Sequence, residues 1–247
     1  MCFDLDSSPP IEPIEGGAVD HKDLELDAAD GNRFAAFAAL PEEASQVGVV
    51  VIPDVRGLYR FYEELALRFA ERGIAAIAID FYGRTAGVAK RGDDFDYPEH
   101  RVQTTPEGVQ ADVRAGVDWL REQGAGSIFT VGFCFGGRHS WLAAAGDHGL
   151  KGAVGFYGMP AGDSPNPIDR AGDMDAPILA LQGGADQHIT AEHNAAFDEA
   201  LSEAGVEHEV IAYPGAPHSF FDRKQEEFAD DSADAWERTL DFIERYS

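Results

Sequence analysis

The amino-acid sequence predicts an α/β fold: a twisted, mostly parallel sheet with helices on both faces and an antiparallel hairpin at its start. Three observations carry this. Short β-branched runs without polar alternation recur along the chain, segments with helical spacing of apolar residues separate them, and Asp30-Gly31 sits between two alternating stretches near the N-terminus.

Taken in order, residues 1–19 are Pro-rich and acidic and are expected to form an N-terminal surface segment, followed by a single domain over residues 20–247. The stretch HKDLELDAADGNRFAAFAAL supplies the hairpin. VGVVVI at residues 47–52 suits a strand buried on both faces, and runs of the same kind follow at 74–79, 128–133, 153–157, 178–181 and 210–213. Between them, Leu65, Phe69 and Ala70 share one face of a helix over residues 61–72. Thr105-Pro106-Glu107 gives a cap, an N1 proline and a first-turn acid ahead of Val109, Val113, Val117 and Leu120. A third helix begins at Gly136 and Gly137, Thr190 caps a fourth, and the last carries Ala233, Trp236, Leu240 and Ile243 at helical spacing. Such alternation implies right-handed βαβ crossovers, with function at the carboxyl ends of the strands.

Charge narrows the partners. Acidic residues number 45 against 19 basic ones, a formal net charge of −26, which disfavours nucleic acid and anionic membrane surfaces by repulsion. Only Lys22, Lys90, Lys151 and Lys224 are lysines. A surface dense in Asp and Glu and poor in Lys is expected of a protein adapted to concentrated salt, and equally of one from a GC-rich genome that codes few lysines. The start MCFDLDSSPP lacks the basic segment and apolar core of a signal peptide, and no run is long enough to span a bilayer. A cytoplasmic protein is expected, with Cys2 and Cys134 as free thiols, acting on a small molecule as a monomer or small homo-oligomer.

The strand ends carry the chemistry. They offer Asp54 and Val55 in IPDVRG, then Asp80 to Arg84 in DFYGR, then Cys134 in GFCFGG, Asp186 in GGADQH and His218 in PGAPHSF. Nucleophile, acid and base in that order, with G-x-Nuc-x-G after a strand, is the pattern of an α/β-hydrolase fold. Gly132 and Gly136 remove side chains that would collide in a turn tight enough to expose Cys134. The helix beginning there, with a histidine nearby, favours thiolate over thiol. His218, held by Asp186, would shuttle the proton, and the backbone N–H groups of Val55 and Phe135 would receive the oxyanion.

The less specific readings are weaker. A free cysteine is more often packing than catalysis, but not on a Gly-flanked elbow. Ser140 and Ser219 sit on no elbow; Asp175 precedes its strand; and His139, His148, His188 and His193 do not follow the last core strand as His218 does. The acidic run GDDFDYPEH matches no metal-ligand spacing and reads as a solvated acidic loop over the site.

On GFCFGGR, DFYGR, VGFYG, GGADQHI and PGAPHSF, from about residue 20 to the C-terminus, the chain resembles the dienelactone hydrolases, or carboxymethylenebutenolidases. The resemblance implies Cys134 as nucleophile, His218 as base, Asp186 as its orienting acid, and hydrolysis of a carboxylate-bearing enol lactone to maleylacetate without a cofactor. It also implies arginines for the substrate carboxylate, Arg84 matching one. Two departures stand out. Family members carry a glutamate, which contacts the thiol and helps activate it, where this chain has Asp54. The second carboxylate-binding arginine is matched in offset by Asp222, with Arg223 one place beyond. Hydrolysis of ordinary carboxylic esters or thioesters is the alternative, and a non-catalytic ligand-binding or redox-sensing relative is the third reading.

Overall fold

The computed structural model describes residues 4, 6–15 and 19–247; Cys2 lies outside the described residues. Strands β1 (Val19–Asp27) and β2 (Arg33–Pro41) pair antiparallel through a turn in which Gly31 adopts φ 88°. The expected hairpin is thus the first element of the sheet. Then follow β3 (Val47–Ile52), helix α1 (Arg60–Ala70), β4 (Ala75–Ile79), the short helices α2 (Gly83–Ala86) and α3 (Tyr97–Arg101), and the long helix α4 (Pro106–Glu122). The second half continues with β5 (Ser127–Phe133), α5 (Phe135–Ala143), β6 (Gly152–Phe156), β7 (Ile178–Gly183), α6 (Ala191–Ala204), β8 (His208–Tyr213) and α7 (Ala229–Tyr246).

The strands form one sheet in the order β1-β2-β4-β3-β5-β6-β7-β8, parallel from β4 to β8 and antiparallel where β2 meets β1 and β4. Its central strands lack polar alternation because both faces are covered. Val49, Val51, Val131 and Leu179 pack on the side of Phe61, Leu65 and Phe69 from α1 and Trp236 and Ile243 from α7. Val50, Ile52, Ile128 and Ala180 pack on the other, under Val113 and Val117 of α4, Trp141 of α5 and Phe197 of α6. Helix α4 starts as its sequence implies, Thr105 Oγ1 accepting the Gly108 N–H at 3.1 Å with Pro106 at the first helical position.

Within the N-terminal segment, Ile11 is 5% exposed and belongs to the core, so the described part is tied to the fold as well as lying along its outside. The short helices α2 and α3, which carry no periodic signal of their own, complete the connection from β4 to α4. Among the described residues no helix is long and apolar enough to cross a membrane.

Candidate active site

The turn between β5 and α5 is built around backbone contact. Cys134 adopts φ 54°, ψ −110°, a conformation that costs a non-glycine residue about 1–3 kcal/mol and persists only where its surroundings enforce it. The enforcement is visible: Cys134 N donates to Phe156 O at 2.9 Å, and Arg138 N to Cys134 O at 3.2 Å. A Cβ on Gly132 would lie 2.0 Å from Gly136 O, and one on Gly136 would lie 2.1 Å from Ile52 O. Both glycines are therefore steric requirements of the elbow. The half-buried cysteine stands at the N-terminus of α5, where the first-turn amides have no intrahelical acceptors.

His218 comes from the loop after β8 and Asp186 from the loop after β7. Their side chains meet, His218 Nδ1 to Asp186 Oδ2, at 2.5 Å. Asp186 Oδ1 accepts the N–H groups of His188 and Ile189 at 2.8 and 3.1 Å. Burial works to raise the Asp186 pKa, but the His218 hydrogen bond and these amides outweigh it and hold the carboxyl below its ordinary value. Cys134 and His218 line one cavity of about 540 Å³, together with Val55, Phe135, Tyr157 and Ile189. The arrangement brings a thiol, an imidazole oriented by an ionised carboxylate, and two candidate oxyanion residues to one cleft.

Beside the cleft, Asp54 is fully buried. Its Oδ1 accepts the Arg56 N–H at 2.8 Å, while Oδ2 accepts from Arg56 Nη2 at 3.2 Å and from the Tyr59 hydroxyl at 3.3 Å. The Asp54 N–H in turn donates to the Tyr62 hydroxyl at 2.9 Å. The next carbonyl, Val55 O, accepts from the Tyr82 hydroxyl at 2.5 Å, so the loop is fixed on both sides of the Asp54–Val55 peptide.

The two arginines expected at the substrate carboxylate are elsewhere. Arg84 pairs with Asp30 in the β1–β2 turn, and its Nη2 donates to Asp112 Oδ1 at 2.8 Å and Gly108 O at 2.9 Å. Its donors are taken up by acceptors of the chain itself. Arg223 donates to Ile11 O at 3.0 Å and pairs with Glu12 at 3.2 Å, lining a separate groove of about 400 Å³ against α1. Neither lines the cavity that holds Cys134 and His218.

Two other arginines line the cavity instead. The Arg101 guanidinium lies 4.4 Å from the Phe135 ring centroid, and Arg138 Nη2 donates to Pro165 O at 2.9 Å as part of a set of carbonyl contacts. Neither forms an ion pair with a carboxylate among the described residues, in a chain where nearly every other arginine does. Burial, followed by the charge of Arg101, lowers the Arg138 pKa, as expected of two cations sharing one side of a pocket. Burial and the same two arginines push His139, also at the cavity wall, down to about 3, so it is neutral. Sequence reasoning passed over both arginines. Arg138 had a signal, standing one helical turn from Cys134 and so on the same face of α5. Arg101 closes an acidic run and had none.

The Arg84 cluster has its own pH dependence. Asp112 is fully buried with Oδ2 unpartnered, and burial pushes its carboxyl up to about 7 against the opposing contacts of Asn32 and Arg84. The folded state favours the protonated form, so this group's contribution is complete below the ordinary carboxyl value of 3.8 and is lost as pH rises through about 7. Urea unfolding at pH 5 and pH 8 is expected to show the wild type losing on the order of 2 kcal/mol more than Asp112→Asn over that interval. Equal losses would exclude Asp112 as the source.

Residues 34–247 match the model of the Dienelactone hydrolase family. A Yersinia pestis protein provisionally named a carboxymethylenebutenolidase is 31% identical over 229 residues, covering 88% of this chain and 86% of its own. A Bradyrhizobium protein named, with similar reserve, a 2-oxo-3-(5-oxofuran-2-ylidene)propanoate lactonase is 26% identical over 242 residues, covering 92% and 94%. Among solved structures, a Klebsiella pneumoniae protein provisionally described as a dienelactone hydrolase superposes with a TM-score of 0.81 at 28% identity, over 93% of this chain and all of the other.

Proposed function

The chain belongs to the dienelactone hydrolase family, and from that premise we propose that it is a cysteine-dependent hydrolase opening a small, carboxylate-bearing lactone through Cys134, His218 and Asp186. The observation that carries this reading is the strained elbow, which presents Cys134 to the cavity that His218, fixed by Asp186, also lines.

His218 takes the thiol proton as sulfur attacks the lactone carbonyl. The carbonyl electron pair moves to oxygen, where the N–H groups of Val55 and Phe135 stabilise it. Collapse breaks the ring C–O bond and leaves an acyl-enzyme thioester with the departing oxygen still tethered. An enolate is a good enough leaving group to depart with little acid assistance; once released it takes the proton held by His218, which restores the imidazole as a base. Water, deprotonated by His218, then attacks the thioester, and the thiol recovers its proton as the carboxylate product leaves.

Arg101 and Arg138 take the part first expected of Arg84 and Arg223. In a molecule of net charge −26 an anionic substrate is repelled at long range, so cations at the cavity wall that form no ion pair among the described residues are what draws it in. The lactonase named among the relatives is one whose substrate couples an oxofuran ring to a propanoate carboxylate, the same pairing of groups.

Intact-protein mass spectrometry after rapid mixing tests both parts. A furanone carboxylate is expected to leave an acyl adduct on Cys134. In Arg101→Gln/Arg138→Gln its acylation rate is expected to fall roughly 100-fold, while a neutral aryl ester changes within about 3-fold. No adduct with either compound sinks the hydrolase reading; equal losses for both sink the carboxylate assignment and leave the ester hydrolase.

A further inference from the structure

The acid in the loop after β3 stands in an unusual electrostatic position. Asp54 is fully buried and adjoins Val55, whose N–H is assigned to the oxyanion, so a carboxylate lies one residue from the place where negative charge develops. The same loop abuts the nucleophile's helix: a Cβ on Gly136 would lie 2.4 Å from Pro53 O. An uncompensated buried anion there would oppose both the thiolate and the oxyanion.

The chain supplies the compensation two residues on. Arg56 binds the carboxylate twice, through its backbone N–H to Oδ1 and its guanidinium to Oδ2, and the Asp54 carbonyl accepts the Gly57 N–H at 3.0 Å to close the turn. The guanidinium lies 5.0 Å from the Tyr59 ring centroid, and its side chain is 16% exposed. Burial works against its charge, yet Asp54 holds its pKa above the ordinary arginine value, so it stays a cation. Its Nε is buried without a hydrogen-bond partner, a cost accepted in order to keep the charge beside Asp54.

Resting on the hydrolase reading above, we infer that Arg56 is a positioning residue for the reaction: it neutralises Asp54 and holds the turn that aims the Val55 N–H at the oxyanion. Asp54 is accordingly a tethered half of an ion pair, and the loop's contribution depends on the pair rather than on either charge alone.

The test uses Arg56→Gln, Arg56→Lys and Asp54→Asn/Arg56→Gln. It reads kcat, KM and the pH dependence of iodoacetamide alkylation at Cys134. The other charged and titratable groups facing the thiol or the Asp54–Arg56 pair, His218 with Asp186, His139, His188, Tyr59, Tyr62, Tyr157, Asp163, Arg101 and Arg138, are unchanged throughout. Arg56→Gln is expected to lower kcat about 100-fold with KM within about 3-fold, and to raise the thiol's apparent pKa by about one unit. Arg56→Lys, which keeps the charge and loses the fork, falls between. The double variant, with no charge left to compensate, is expected to recover about 10-fold in kcat and the wild-type alkylation profile. An unshifted alkylation profile in Arg56→Gln, or a double variant no better than the single, overturns the inference. Should Arg56→Gln fail to fold, the lysine and double variants carry the same comparison. Failure of the underlying reading is separate, since it appears as a wild-type protein that gives no Cys134 adduct.

Discussion

Replacing Cys134 by alanine is expected to lower kcat/KM on a small lactone by at least 10⁴-fold, on the order of what nucleophile removal costs where a triad acts as a unit. The loss is chemical rather than structural. The backbone of residue 134 is held by Phe156 O and by the Arg138 N–H, neither of which involves the thiol, so alanine inherits the fold and merely the modest strain of a positive φ. Circular dichroism and the unfolding midpoint are therefore expected to stay close to wild type while the mass-detected adduct disappears. Serine in the same place separates geometry from chemistry. It keeps the elbow and the hydrogen-bond reach, but its hydroxyl needs His218 to remove a far less acidic proton, so Cys134→Ser is expected to retain a small fraction of the activity. An alanine variant with wild-type turnover would falsify the assignment and redirect it to a water activated directly by His218.

That the elbow was legible in the sequence while the two arginines at the cavity wall were not has a physical basis. G-x-C-x-G is a local requirement: Gly132 and Gly136 are excluded from carrying a Cβ by backbone atoms that any such turn brings together. The central strands were legible for a related reason, since a strand covered on both faces must be apolar at every position. Asp186 and His218 needed only the order of strand ends. Arg84 and Arg223 are different, because a long cation goes to whichever carboxylate or carbonyl the tertiary fold offers. For Arg84 those are Asp30 and Asp112, contributed by a turn and a helix distant in sequence. For Arg223 it is Ile11 O, 212 positions away. No window of the sequence contains those choices. Arg101 reaches the cavity by lying over Phe135, and that contact exists only once the short helix α3 is folded against the elbow. The burial of Ile11 was hidden in the same way, an apolar residue within an otherwise acidic, Pro-rich segment.

Asp186→Asn is expected to cost about 10⁴-fold in kcat at neutral pH with little change in KM, because the variant dictates the wrong histidine tautomer. The argument is one of hydrogen-bond accounting. In the wild type Oδ1 accepts two backbone N–H groups, from His188 and Ile189, and Oδ2 accepts the Nδ1 proton of His218. An asparagine has one acceptor end and one donor end. The two fixed amides claim the oxygen, so the NH₂ turns to His218 and requires Nδ1 to accept. The ring's proton then moves to Nε2, the nitrogen that must take the thiol proton, and His218 ceases to be a base. Stability follows the opposite course. Asp186 has a lowered carboxyl pKa in the fold, so its contribution is present above the ordinary carboxyl value of 3.8 and is lost as pH falls through and below it. Thermal unfolding from pH 7 down to pH 3 is expected to show a steeper decline for wild type than for Asp186→Asn, even though the variant is nearly inactive throughout. A variant with activity within about 10-fold of wild type would mean that His218 is oriented by some other group, whereas a loss accompanied by parallel acid sensitivity would remove Asp186 from the stability argument and leave it in the catalytic one.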